Sequence, residues 1–202
     1  MTSRMLVGSA VAAVTAFASA SSAAVISFTS LTLWSSYSVA NGQVVITESF
    51  DSIADGSYAS PFSSSVGGIN WTATATGGLY VNGGQFSTND PSTLTFSMSP
   101  GVQGIGGNLY GTDINFNVVP AIIQVTLNDG SSYIGVQTSA SEFVGFYSTG
   151  AAISSLSISA LPMPGGPAMY PTANNLYFAA VPAPGAVAVL AMAGLGRRRA
   201  RG

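Results

Sequence analysis

Residues 121–138 read AIIQVTLNDGSSYIGVQT, and this stretch indicates the fold class of the chain. Ile123, Val125 and Leu127 alternate with polar residues, which is the period of a β-strand with one buried face. The Asn-Asp-Gly sequence at 128–130 is a strong signal for a tight turn between two strands. The stretch therefore predicts an antiparallel β-hairpin whose first strand turns these three apolar residues inward.

The same period of two, broken by turn residues, continues on both sides of the hairpin. Ile69, Trp71 and Ala73, for example, share one face of a predicted strand. Residues 51–68 and the proline-bearing segment at 163–171 read as long loops, and no helix is predicted between residues 24 and 180. The predicted strands lie at 25–33, 44–50, 69–75, 79–81, 94–98, 105–110, 121–127, 131–138, 142–148, 154–159 and 175–180.

About ten short strands with closely spaced turns favour two packed antiparallel sheets. We predict an all-β fold for residues 24–180, a two-sheet antiparallel β-sandwich of jelly-roll type. A β-helix or solenoid is the alternative, but the sequence has no fixed repeat period to support it.

The first 23 residues have the layout of a secretory signal peptide. Arg4 is followed by an uncharged apolar run from Met5 to Ala18, and small residues lead up to Ala23. This order of a positive start, an apolar helix and a small-residue cleavage site is typical of export signals. We expect signal peptidase to cleave after Ala23, with Ala20 and Ala24 as alternatives that also satisfy the small-residue rule.

Residues 181–202 form a second terminal signal with three parts in a fixed order. Val181, Pro182, Ala183 and Pro184 end the folded body, because proline fixes φ and withholds a backbone donor. An apolar run at 186–196 follows and can form a short helix. Basic residues close the chain, as expected for the cytoplasmic flank of a membrane-held tail. They are Arg197, Arg198, Arg199 and Arg201.

This tail resembles the PEP-CTERM sorting signal of bacterial surface proteins, in which Pro-Glu-Pro precedes a hydrophobic helix and an arginine cluster. Ala183 stands where the signal has its glutamate. The resemblance implies transient anchoring in the inner membrane, processing by an exosortase-type enzyme, and a final location at the cell surface or outside the cell.

The charges of the body between these signals exclude several function classes. All five basic residues lie in the two ends, so residues 24–180 carry seven acids and no Lys, Arg or His. Nucleic acid is excluded as a partner, since phosphate binding depends on Lys and Arg. The chain has no Cys, so neither a disulfide nor a thiolate metal site can form.

The same census predicts that the body is not an enzyme. A Ser-His-Asp or Cys-His device cannot be built, and no Lys can act as a base. A glycan-cleaving enzyme remains the alternative, because such chemistry needs only two carboxyl groups at the right separation. Glu48 and Glu142 are the only glutamates and are the candidate pair.

Three phrases in the body carry a second resemblance. They are GGNLYGTD at 106–113, FVGF at 143–146 and NNLYF at 174–178. They look like phrases of a common PEP-CTERM ectodomain, which is similar to the jelly-roll sandwiches of carbohydrate-binding modules. Such modules often hold one structural Ca²⁺ near an early acidic segment and the closing strand.

The resemblance implies a calcium site at the matching positions of this chain. Glu48 or Asp51 would supply carboxylate oxygens and Asn174 or Asn175 amide oxygens, which are ligand types that Ca²⁺ accepts. Asn174 stands where the family has an acid. The alternative is that the seven acids are solvated on separate turns.

Aromatic residues are the candidates for contact with a sugar, because their faces combine apolar area with a polar rim. Trp34 and Tyr37 lie in a serine-rich stretch and, with Tyr58, are expected to be exposed. Aromatics within strands also suit stacking, although strand aromatics are usually core. They are Trp71, Tyr80, Tyr110, Tyr133, Phe146 and Tyr147.

These features predict an exported, non-catalytic surface or matrix protein that binds exopolysaccharide. The carboxylate-based glycan-cleaving enzyme and a purely structural coat protein stay open as alternatives.

Overall fold

The computed structural model describes residues 24–181, which fold mainly into β-strands. In chain order the elements are β1 (Val25–Phe28), α1 (Leu31–Ala40), β2 (Val44–Glu48), β3 (Gly56–Tyr58), β4 (Phe62–Val66), β5 (Ile69–Thr74), β6 (Leu79–Asn82), β7 (Gln85–Thr88), β8 (Leu94–Met98), β9 (Val102–Thr112), β10 (Val118–Val119), β11 (Ala121–Leu127), β12 (Ser132–Gln137), β13 (Phe143–Ser148), β14 (Ser155–Pro162) and β15 (Tyr170–Ala180).

The strands form two antiparallel sheets, so the predicted all-β, two-sheet architecture is confirmed. The nine-stranded sheet has the order β1-β13-β9-β15-β7-β6-β3, with β10 beside β9 and β2 beside β15. The six-stranded sheet has the order β12-β11-β14-β8-β5-β4. Successive strands often belong to different sheets, and the chain therefore crosses repeatedly between the two layers.

The core lies between the sheets and follows the predicted alternation. Ile123, Val125 and Leu127 are buried, as expected from the hairpin pattern. So are Ile69, Trp71 and Ala73 on β5. The centre of this core is aromatic, with ring centroids of neighbouring pairs 5.1–6.1 Å apart. Its rings belong to Phe50, Trp71, Phe86 and Phe96.

The prediction that no helix occurs in the body is wrong, and so is the strand predicted for residues 29–33. Helix α1 begins after Ser30, whose hydroxyl oxygen accepts a hydrogen bond from the Leu33 N–H at 3.4 Å. Ser38 also fits within the helix, because its hydroxyl donates to the Trp34 carbonyl oxygen at 2.8 Å. The serines that suggested an exposed segment are thus used to cap the helix and to bond its own backbone.

The predicted loop at 51–68 is also wrong in part, since β3 and β4 lie within it. Both strands are short and rich in serine, so they lack the alternation of apolar residues on which the prediction depended. Pairing with β6 and β5 supplies their hydrogen bonds. The closing strand β15 begins at Tyr170, five residues earlier than predicted, and the loop before it is correspondingly short.

The nine-stranded sheet has two halves that share β9 and β15. In one, which we call the helix-covered half, β1, β13 and β2 flank the shared pair, and α1 packs on the outer face. In the other, which we call the open half, β10, β7, β6 and β3 flank it. The register of β15 against β9 shifts between Ala173 and Leu176, where one half gives way to the other.

Candidate functional site

A cleft with a volume of about 330 Å³ lies on the outer face of the open half. Tyr80 and Asn82 point into it because they alternate along β6 with Leu79 and Val81, which are buried in the core. The turn after β9 folds over the same face and closes one side. The lining residues are Ser57, Tyr80, Asn82, Thr88, Asn89, Thr112, Asp113, Ile114, Asn115, Phe116 and Tyr170.

The turn at 113–117 is held by one carboxylate. Asp113 Oδ1 accepts hydrogen bonds from the N–H groups of Asn115 and Asn117 at 2.8 and 2.9 Å, and Oδ2 accepts one from Asn117 Nδ2 at 3.0 Å. The Asn117 side chain and these backbone donors lower the pKa of Asp113, because they favour the charged form. The turn is therefore ordered before any ligand arrives.

Phe116 occupies an unusual backbone conformation within this turn. Its φ is 63°, in the left-handed region that bulky residues rarely adopt. The conformation brings its ring to within 5.1 Å of the Tyr80 ring, measured between centroids, at an interplanar angle of 39°. Strain of this kind persists where the surroundings determine it, and it concentrates at functional sites. The turn thus presents a prearranged pair of aromatic rings at the cleft.

Buried hydroxyl groups support the sheet beside the cleft. Thr112 and Thr172 approach at 3.0 Å between their hydroxyl oxygens, and the Thr172 hydroxyl donates to Ser87 Oγ at 2.9 Å. The neighbouring Tyr110 hydroxyl donates to Gln85 Oε1 at 3.0 Å. Burial raises the pKa of Tyr110 to about 12, so this hydroxyl stays neutral. These bonds fix the strands that carry the lining residues.

The cleft has the groups for binding an uncharged polar ligand. Its aromatic rings offer apolar faces, and the amides of Asn82, Asn89 and Asn115 can both donate and accept. Asp113 is the single acid among the lining residues. Most glycosidases use a pair of carboxyl groups, and the lining supplies one.

The aromatics predicted to bind a ligand lie elsewhere. Trp34 was expected to be exposed, and this is wrong: it lies on the buried side of α1 and is fully buried, with Nε1 donating to the Phe146 carbonyl oxygen at 2.9 Å. Tyr37 is half-buried against the Phe28 and Tyr147 rings. Tyr58 packs on Phe62 and its hydroxyl donates to the Ala54 carbonyl oxygen at 2.6 Å. None of the three lines the cleft.

Two of the predicted calcium ligands, Glu48 and Asn175, point to opposite faces of one sheet. Glu48 points into the core, where its carboxylate accepts from the Phe50 N–H and from Trp71 Nε1, each at 2.9 Å. Asn175 points to the opposite face of the same sheet and donates to Asn108 Oδ1 at 3.2 Å. Glu48 and Asn175 therefore cannot share an ion.

The other two predicted ligands, Asp51 and Asn174, stay a prediction. Asp51 is exposed beside the Gly83–Gly84 turn, and Asn174 lies at the register shift of β15. Within residues 24–181, no three His, Cys, Asp or Glu side chains group together to hold a metal ion.

Glu48 and Glu142, the candidate catalytic pair, are also kept apart. Glu48 lies opposite Leu176, Leu176 opposite Gly107, and Gly107 opposite Val144, just beyond Glu142. Three strand spacings correspond to about 14 Å, well above the separation of two glycosidase carboxyl groups, about 5–9.5 Å. Glu142 instead accepts hydrogen bonds from the N–H and hydroxyl of Thr138.

The sorting residues fall almost entirely outside the described part of the chain. Val181 is exposed at the end of the body. Pro182, Ala183, Pro184, Arg197, Arg198 and Arg199 lie beyond it, as do residues 1–23. Over residues 24–181, no helix combines the length and apolar character needed to cross a membrane.

Comparisons with protein-family models, curated proteins and solved structures gave no match for this chain.

The sequence contains a signal for the cleft at residues 113–117. In the sequence Tyr80 resembles the other strand aromatics, and Phe116 lies outside every predicted strand. The run from Asp113 to Asn117 alternates Asp or Asn with apolar residues, ending in Asn-Phe-Asn. Asp and Asn tolerate turns and bond their own backbone, so a large aromatic among them is a marker of a turn that displays a ring.

Proposed function

We propose that this chain is an exported, exosortase-sorted protein of the cell surface or extracellular matrix that binds exopolysaccharide without cleaving it. The observation that carries the binding proposal is the cleft of the open half, where a fixed aromatic pair faces several amides. Sugars combine apolar ring faces with hydroxyl groups, so such a lining suits them. The volume is at the low end for ligand pockets, about 300–1,000 Å³, which favours a short segment of a glycan.

The charge of the body limits which glycans are expected to bind. The body carries seven acids and no basic side chain, so a polymer rich in uronate, sulfate or phosphate would meet repulsion and find no counter-charge. We therefore propose a neutral glycan. The proposed sandwich type is the jelly roll, supported by two antiparallel sheets between which the chain crosses repeatedly.

Sorting is proposed from the tail, in which a proline pair, an apolar run and an arginine cluster follow one another. Signal peptidase and an exosortase-type enzyme are the implied processing partners, with transient anchoring in the inner membrane. The test is the C-terminus of protein recovered from the native cell surface. Cleavage near Pro182-Ala183-Pro184 is expected, and an intact Arg197–Arg201 on that exported form would overturn the proposal.

A glycan array probed with the purified chain tests binding. We expect neutral glycans to be retained by the wild type and lost by Tyr80→Ala, while the matched control Tyr58→Ala, an aromatic outside the cleft, keeps them. Reducing ends should not increase during incubation. Absence of any bound glycan would leave a structural coat protein as the better account, and new reducing ends would favour the enzyme.

A further inference from the structure

One edge strand of the sandwich is built differently from the others. Among the described residues, β1, β3 and β10 are edge strands of four residues or fewer. Strand β4 carries three successive serines, and the turn after it contacts Ile46 of the edge strand β2. Short, polar or covered strands are the usual means of protecting a sheet edge. Strand β12, with six residues and neither charge nor proline, has none of these protections.

The hairpin fixes which backbone groups of β12 face outward. The Leu127 N–H donates to the Ser131 carbonyl oxygen, so Ser131 directs its backbone groups toward β11. Direction alternates along an antiparallel strand. The N–H and C=O groups of Ser132, Ile134 and Val136 therefore point away from β11. No strand among residues 24–181 pairs with them.

Two of these three residues, Ile134 and Val136, have apolar side chains that are exposed. Ile134 is 63% exposed and Val136 is 50% exposed. Val136 lies opposite Ile122 on β11, and Ile122 lies opposite Leu161 on β14, which is 45% exposed. An apolar strip thus runs from the edge onto the outer face of the six-stranded sheet.

We propose that β12 pairs antiparallel with β12 of a second copy of this chain, about a two-fold axis at Ile134. In this register Ile134 lies opposite its own counterpart, and Ser132 lies opposite Val136. Every outward N–H and C=O of the three residues then finds a partner. The two apolar strips meet at the seam, and the six-stranded sheets of the two copies become one continuous sheet.

A second copy fits this edge because the edge is its own complement. A two-fold antiparallel pair brings the same surface patch together from both sides, and the three outward residues are symmetric about Ile134. No acid lies within β12, so the strongly acidic bodies place no carboxylate in the seam itself. The cleft lies on the other sheet, and this proposal does not depend on glycan binding.

Sedimentation of the full-length chain tests the pairing with two matched variants. Val136→Lys places a charge in the seam, and Leu161→Lys places the same charge on the apolar strip two strands away. We expect the wild type and Leu161→Lys to be dimeric, and Val136→Lys to dimerise at least about tenfold more weakly, a change of about 1.4 kcal/mol. The apolar run at 186–196 is identical in all three, so association through it cannot produce this difference.

A monomeric wild type would overturn the proposal, and so would a Val136→Lys variant as strongly dimeric as the wild type. Equal loss of dimer in both variants would also overturn it, because the contact would then be the apolar face and not the strand edge. Circular dichroism of each variant should match that of the wild type, since both positions are exposed.

Cross-linking tests the register, and the absence of native cysteine makes it clean. Ile134→Cys places two thiols directly across the axis, with Cα atoms about 5.5 Å apart. A short bifunctional maleimide should join this variant rapidly at low protein concentration. Ser65→Cys, exposed on edge strand β4, is the control and should not be joined. Equal cross-linking of both would contradict the proposed pairing.

Discussion

The two halves of the nine-stranded sheet carry similar aromatic side chains on the same outer face, yet these side chains are buried in one half and partly exposed in the other. In the helix-covered half, Trp34 lies 5.8 Å from the Phe143 ring and 6.4 Å from the Tyr177 ring, and it is fully buried. In the open half, Tyr80 lies 5.1 Å from the Phe116 ring, and both remain partly exposed in a cleft.

The difference lies in what covers each half. A ten-residue helix spans the first and adds a tryptophan to the aromatic layer, which is thereby closed off from solvent. Close approach is possible there because β13 has glycine at 145, where a Cβ would come 3.0 Å from Trp34 Cδ1. A five-residue turn reaches over the second half and leaves space beside its ring. An aromatic sheet face is thus buried or left accessible to solvent according to what covers it.

The largest loss of folding stability is expected from Trp34→Ala, because this change removes the side chain at the centre of the helix-covered half. Truncating a buried tryptophan costs about 3–5 kcal/mol, and the Phe146 carbonyl oxygen also loses its donor. Urea denaturation should show this loss in the free energy of unfolding. If helix α1 were a dispensable cover, the change would stay below about 1 kcal/mol.

A smaller loss of folding stability is expected from a change at Asn108, which lies where the two halves meet. Asn108 Oδ1 accepts from Asn175 Nδ2 and from the Tyr177 hydroxyl, at 3.2 and 3.3 Å, and Asn108 Nδ2 donates to the Ser141 carbonyl oxygen at 3.2 Å. Asn108→Ala removes these bonds from three partners that are only partly buried, and the cost should lie at the low end of the range of about 1–3 kcal/mol that an unpaired buried polar group costs. Tyr177→Phe removes a single donor and should cost less. Equal costs in urea denaturation would show that the network does not act through Asn108.

Strand β11 and Trp34 show how far the sequence could predict the fold. Ile123, Val125 and Leu127 were identified correctly, because a strand that faces one core alternates with a period of two. Trp34 was misplaced, because its burial depends on a helix that returns over a sheet made from distant segments. Local pattern cannot reveal such a cover.

The cleft was missed for a related reason. Tyr80 has the same alternating context as a core aromatic, and only the turn at 113–117 shows that its side of the sheet is open. That turn owes its shape to Asp113 and to the positive φ of Phe116. The role of Asp113 can be suspected from the sequence, but the positive φ of Phe116 is set by the surroundings of its ring.

A still smaller effect on stability is expected at Asp113. Its pKa is lowered in the folded protein, so its contribution to the turn is complete above the ordinary aspartate range, about pH 4, and is lost as pH falls through the lowered value. Glycan affinity should therefore be constant from pH 8 to about pH 4 and decrease only as pH falls further, through the lowered pKa of Asp113. Asp113→Asn should bind more weakly at neutral pH and lose this pH dependence. An equally steep acid decrease in that variant would assign the titration to another group.

The most direct test of the account is titration of an array-selected glycan into the wild type and into Phe116→Gly. Of the variants proposed, Phe116→Gly is expected to change the stability least. Glycine adopts a φ of 63° without strain, so the variant deletes the ring and should change the free energy of unfolding by less than about 1 kcal/mol. If the open half binds sugar through its aromatic pair, affinity should decrease about tenfold or more. Unchanged affinity in a variant of unchanged stability would contradict the assignment of the cleft.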